Sequence, residues 1–132
     1  MKTYPEIGLS TPHHTMSHHG NKPEVIAQHA KLNGYHVTLY AKFLEKLAAT
    51  PDGDGSLLDH SMVFYGSGMS NANVHGPYPL PLVAVGGWQG KGYRHIVMPD
   101  HTPLGNLWVG VGDMFGIPEH HYGESTGRVN LT

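Results

Sequence analysis

The first long regular pattern in the chain is an apolar stripe with the period of an α-helix. Pro23 suits a first helical turn, and Glu24 complements the positive end of a helix. The run from Thr50 to Gly55, with one proline and two glycines, ends the pattern. We therefore predict a helix over residues 22–49, with Gly34 marking a bend or close packing because glycine costs about 1 kcal/mol there relative to alanine. The stripe comprises Val25, His29, Leu32, His36, Leu39, Phe43 and Leu47.

Shorter apolar runs follow this helix and predict strands. The run Ser61–Tyr65 opens into a glycine-rich loop, Leu80–Val85 ends at two glycines, and His95–Met98 ends at a proline. A second helix is predicted after Pro103, with Thr102 as its cap. Its apolar positions are Leu104, Leu107, Trp108, Val111 and Phe115.

The order of these elements predicts an α/β fold. We expect a small layered domain with a long N-terminal helix, a short, mostly parallel sheet and a second helix. At 132 residues the chain fits a single domain, 1–132. Within it, residues 1–20 read as an irregular, histidine-rich lead-in and residues 119–132 as a surface tail.

Charge and composition exclude several classes of protein and of binding partner. Eight Lys and Arg residues against ten Asp and Glu leave no basic field for a phosphate backbone, so a nucleic-acid partner is not expected. The longest apolar run, Leu80–Val85, is far too short for a membrane span. The first fifteen residues show no secretory signal. The chain has no cysteine, which excludes disulfides and thiolate metal sites.

Histidine carries the strongest chemical signal. The chain has twelve, and four of them fall within seven residues: His13, His14, His18 and His19. On a helical turn His14 and His18, four residues apart, share a face and can converge on one cation. His75 is the best third ligand because it follows the first strand, where open α/β sheets place their ligands. The alternative is an exposed loop whose histidines bind stray metal.

The other titratable groups favour structural roles. His29 and His36 lie on the apolar face of the long helix and read as core histidines satisfied by backbone carbonyls. Asp52 and Asp54 alternate with glycine like a calcium loop, but no Glu closes such a loop, so a turn is the better interpretation. Solvated side chains are the default for the remaining histidines, which are His60, His95, His101, His120 and His121.

Several phrases, taken in order, resemble one family. The phrases are His13-His-Thr-Met-Ser-His-His19, Asn33-Gly-Tyr-His-Val37, Phe43-Leu-Glu-Lys-Leu47, Asp52-Gly-Asp-Gly-Ser-Leu-Leu-Asp-His60, Tyr65-Gly-Ser-Gly-Met-Ser70 and Ser125-Thr-Gly-Arg128. They look like the C-terminal third of the bacterial domain-of-unknown-function family one-five-five-two, whose members are often exported. That family is distantly similar to the C-terminal half of the alkaline phosphatase and sulfatase superfamily.

The resemblance implies a site and its limits. His14 and His18 match the first pair of the superfamily's first metal site, with histidine in place of an acid, and His75 matches its last ligand. Ser70 and Asn71 stand where the second site has an Asp-His pair, and asparagine is a poor ligand. The superfamily's nucleophile lies in an N-terminal half that this chain lacks, so a covalent intermediate is not expected. An exported or periplasmic location is implied.

Together these observations predict a metal-binding domain with one divalent transition metal ion, zinc, held by His14, His18 and His75. The reserve ligands are His13, His19 and His36. An open position on the ion could activate water for hydrolysis of a small anionic ester, by analogy a phosphate or a sulfate. The rival hypothesis is a non-catalytic assembly module, a truncated relic that forms homo-oligomers because the strand at Ser61–Tyr65 expects neighbours on both sides.

Overall fold

A computed structural model describes residues 2–87, 94–117 and 119–131 of the chain. The chain divides into two compact units, Met1–Trp88 and Gln89–Thr132, which are described separately. The prediction of a single domain stays a prediction. The first unit holds α1 (His13–Ser17), α2 (Pro23–Ala48), β1 (Pro51–Asp52), β2 (Gly55–Ser56), β3 (Val63–Gly66) and β4 (Leu82–Val85), with short 3-10 turns at Pro5–Ile7 and Ala72–Val74, and the second holds α3 (Leu104–Met114).

The long helix predicted from the apolar stripe is confirmed as α2, of 26 residues. Its central Leu32 is fully buried, and it packs with Met16 of α1 and with Leu9 of the lead-in. Full burial of an apolar side chain of this size contributes about 1.5–3 kcal/mol, so this contact fixes α1 against α2. Neither α2 nor any other helix in the described part of the chain is long and apolar enough to cross a membrane.

The prediction of a mostly parallel sheet is wrong. Two separate two-stranded sheets are present in the described residues, and both are antiparallel. β1 pairs with β2, and β3 pairs with β4 in a register that sets Val63 opposite Val85 and Gly66 opposite Leu82. Parallel neighbouring strands need a crossover connection, usually a helix. Residues 67–81 contain only one 3-10 turn, and they connect the end of β3 directly to the start of the antiparallel β4. The run His95–Met98 forms no strand.

In the second unit the described part of the predicted surface tail packs on α3. The Asn106 side-chain oxygen accepts hydrogen bonds from the backbone N–H groups of Thr126, at 2.8 Å, and Gly127, at 3.2 Å. The Val129 N–H donates to the Asn106 carbonyl at 2.9 Å. Val129 and Ser125 are buried as a result, so this segment belongs to the packing of its unit.

Candidate metal centre

The short helix α1 places the histidine-rich segment. Met16 and Ser17 are buried, and the Ser17 hydroxyl donates to the His14 carbonyl at 2.8 Å. His18 caps the helix, and its N–H donates to the same carbonyl at 3.3 Å. Because the buried side of α1 faces α2, His14 and His18 are left exposed.

The three histidines predicted as ligands, two from their spacing and His75 from its place after the first strand, lie near one another. We call them the outer histidine group, which comprises His14, His18 and His75. The His14 and His18 ring centroids are 4.7 Å apart, and those of His18 and His75 are 4.9 Å apart. The Nε2 atoms of His18 and His75 lie 3.3 Å from each other. His75 joins two residues that precede it by more than fifty positions.

The hydrogen bonds determine where the protons of this pair lie. His18 Nδ1 is 3.3 Å from the Asn73 carbonyl oxygen, which can only accept, so Nδ1 donates. In the neutral ring the Nε2 of His18 therefore carries a lone pair. His75 Nε2 must then donate to it across the 3.3 Å contact. The lone pair of His18 thus points at the ring of His75.

A loop between β3 and β4 holds His75 in place. The Asn71 side chain accepts from the Asn73 N–H at 3.1 Å, and the backbones of Asn71 and Gly76 form an isolated bridge. His75 ends the 3-10 turn Ala72–Val74 in the left-handed conformation, with φ 53° and ψ 36°. The position of His75 therefore comes from a loop of an antiparallel pair, and the described residues form no parallel sheet with the expected edge. Asn71 acts as a cap within this loop.

The spacing of the His18–His75 pair suits a zinc site, but the full group is not closed. Two nitrogens at about 2.0–2.1 Å from a tetrahedral ion stand about 3.3–3.4 Å apart, which the Nε2–Nε2 distance of 3.3 Å matches. Across residues 2–87, 94–117 and 119–131, no set of three or more His, Asp or Glu side chains has the geometry to hold an ion as it stands. Closing the outer histidine group requires the exposed His14 ring to turn.

Two of the reserve ligands, His13 of α1 and His36 of α2, lie near each other and near His29. The His13 ring lies 5.6 Å from that of His29 and 6.2 Å from that of His36, between centroids. His36 Nε2 pairs with the Tyr4 hydroxyl at 3.2 Å, instead of with the backbone carbonyl expected from the sequence. Burial, and then the charges of neighbouring histidines, lower the pKa of His29. The third reserve ligand, His19, accepts at Nδ1 from the Asn21 N–H at 3.1 Å, so its neutral ring carries its proton on Nε2.

A pocket of about 270 Å³ adjoins the outer histidine group through His18. Most of its lining residues are polar by type and none is acidic, and Lys22 supplies a positive charge. The sequence analysis did not identify this lysine as a site residue. Its position between the histidine cluster and Pro23 is the one feature of the sequence that could have indicated it. The lining residues are Thr11, Thr15, His18, His19, Gly20, Lys22, Val25 and Gln28.

Several histidines expected to be merely solvated have partners. His60 Nδ1 lies 3.0 Å from a carboxylate oxygen of Asp52, and its Nε2 lies 3.2 Å from one of Asp54. The hydrogen bond to Asp52 is the main cause that raises the pKa of His60. His121 Nδ1 is 3.2 Å from the hydroxyl of Ser125. The Asp-Gly-Asp-Gly segment is confirmed as the turn between β1 and β2.

Comparisons with known proteins add no relative. A scan against family models and searches of curated proteins and solved structures found no significant match to this chain. The resemblance to family one-five-five-two therefore stays a prediction. What the outer histidine group can do follows from its own residues, and they form a small, exposed imidazole site beside a pocket that Lys22 helps to line.

Proposed function

We propose that this chain binds one divalent transition metal ion, zinc, through His14, His18 and His75. The observation that carries the proposal is the 3.3 Å separation of the His18 and His75 Nε2 atoms, which is the spacing of two ligands on one tetrahedral ion. Zinc binds the lone pair of a neutral imidazole nitrogen, which His18 offers at Nε2. His75 must first move its proton from Nε2 to Nδ1, because in the metal-free chain that proton is donated to His18. His14 completes the set by a side-chain rotation that its exposed position permits.

The reaction we propose for this site is slow hydrolysis of a small anionic ester. A zinc ion held by three histidines keeps an open position, acts as a Lewis acid and lowers the pKa of a bound water to about 7. Lys22 and the threonine hydroxyls of the adjoining pocket suit an anionic group. The superfamily resemblance favours a phosphate or a sulfate ester. A modest rate is expected because the pocket's lining includes no acidic side chain that could serve as a carboxylate base.

Metal analysis of the purified, tag-free chain tests the proposal. We expect one zinc ion per chain in the wild type, and an affinity more than about 100-fold weaker in His75→Ala, which removes one of three ligands. His95→Ala is the matched control, because His95 is an exposed histidine of the other unit. Zinc-dependent hydrolysis of an activated ester should disappear in His75→Ala and persist in His95→Ala. Tight zinc binding by His75→Ala would contradict the assignment.

Two observations favour a second candidate function, that of a self-associating module. Among the described residues only five apolar side chains are buried, whereas fifteen large ones are exposed, so much apolar surface remains available to another chain. β3 and β4 also form a sheet of only two strands, so each has an edge without a neighbouring strand in the described residues. A symmetric dimer is the simplest product.

A further inference from the structure

We propose that Asn73 is a positioning residue for the outer histidine group, an inference that rests on the proposed zinc site. It belongs to the 3-10 turn Ala72–Val74, two residues before His75. Its carbonyl accepts from His18 Nδ1 at 3.3 Å. Its side-chain oxygen accepts from the Gly20 N–H at 2.8 Å. One residue thus ties the loop that carries His75 to the segment that carries His18.

The two contacts of Asn73 do different work. The carbonyl contact keeps the His18 proton on Nδ1, so that the Nε2 lone pair is available to an ion. The side-chain contact to Gly20 fixes the distance between the two segments, and so holds that carbonyl within reach of His18. Histidines that bind metals almost always donate their other N–H to such an acceptor, which fixes the tautomer and the ring orientation.

The Asn73 backbone is itself held by its neighbours. The Asn73 N–H donates to the Asn71 side chain at 3.1 Å, which closes the turn. The backbone bridge between Asn71 and Gly76 then closes the loop around His75. Loss of the Gly20 contact leaves this loop intact but reduces its ties to the end of α1 to the contacts of His18 with Asn73 and His75. The expected result is a folded chain with a weaker site.

Substitution of Asn73 tests the proposal by zinc affinity, measured in competition with a chelator. Asn73→Ala removes the side-chain acceptor, and we expect it to weaken zinc binding by about 10–100-fold, the usual effect of removing a group that orients a ligand. Asn73→Asp keeps an oxygen for the Gly20 N–H and should restore most of the affinity. Asn33→Ala, on an exposed position of α2, is the control and should bind zinc like the wild type.

A second measurement needs no metal. Nitrogen NMR of the metal-free chain reports the tautomer of His18, which should be protonated at Nδ1 in the wild type and in Asn73→Asp, and mixed in Asn73→Ala. Wild-type zinc affinity in Asn73→Ala would overturn the role of Asn73 and leave the zinc site standing. If the wild type binds no zinc, the proposed function fails, and the tautomer alone decides whether Asn73 positions His18. A mixed tautomer of His18 in the wild type would also overturn the role of Asn73 in positioning His18.

Discussion

At the scale of single residues, His60 shows how a turn with two aspartates sets a histidine's charge. Both ring nitrogens contact a carboxylate, of Asp52 at 3.0 Å and of Asp54 at 3.2 Å. The hydrogen bond to Asp52 and the nearby negative charges raise the pKa of His60. A raised pKa in the folded state means that the interaction stabilises the fold fully below the ordinary pKa of about 6.5. The stabilisation is lost as pH rises through the folded-state pKa.

We therefore predict that Asp52→Asn lowers the pKa of His60, because it removes the largest of its causes. A proton NMR titration of the His60 ring measures the change. Asp54→Asn should lower the pKa by a smaller amount, since its contact contributes less. An unchanged His60 titration in Asp52→Asn would refute the contact. His95, in the other unit, is the internal reference, and neither substitution should change its ring signals.

The residues of the candidate site differ in how far the sequence could predict them. The convergence of His14 and His18 follows from their spacing on one turn, which is local. The prediction of His75 rests on a parallel sheet, whereas the described residues form only antiparallel pairs, and His75 reaches His18 because the loop after β3 folds back. Asn73 and Lys22 were missed. The Asn73 contact to His18 spans 55 positions, and no local pattern encodes such a contact.

At the scale of elements, the helices were predictable and the strand directions were not. The 3.6-residue period of α2 is a local pattern within one continuous segment, and it places Leu32 at the centre of the buried face. The direction of β4 relative to β3 depends on the path of residues 67–81, which are rich in turn residues and show no period. The antiparallel pairing becomes visible only once that path is known.

Two glycines in helices are predicted to respond oppositely to alanine. A Cβ at Gly34 of α2 meets nothing within 4 Å, so close packing there is not found, and Gly34→Ala should stabilise the chain by about 1 kcal/mol through helix propensity. A Cβ at Gly110 of α3 would stand 2.2 Å from the Val129 carbonyl oxygen. Gly110→Ala should therefore destabilise the second unit by about 1–3 kcal/mol.

Urea unfolding curves of the two variants measure both effects. Gly68→Ala, another open position but outside any helix, controls for the added methyl group. Destabilisation by Gly34→Ala would mean that α2 is covered at that point. No effect of Gly110→Ala would mean that the tail does not pack on α3 as described.

At the scale of the whole molecule, the exposed apolar surface predicts self-association. Leu39 and Phe43, 45% and 49% exposed, lie one turn apart on α2. Light scattering should show a dimer, and Phe43→Gln should weaken it by about 10–100-fold, the worth of one large buried side chain. Lys42→Gln, on the neighbouring exposed position, should leave the dimer unchanged. A wild-type monomer at high concentration would eliminate the assembly hypothesis.

The left-handed backbone at His75 favours glycine over histidine when only folding is under selection. Its φ of 53° is a conformation that glycine adopts freely and that costs other residues about 1 kcal/mol. Selection for folding alone would replace this histidine with glycine, because the fold becomes more stable as the ring disappears. A lineage that no longer needed the imidazole would therefore lose it early. Across a set of relatives, the residue at this position would separate the chains that still use the site from those that only fold.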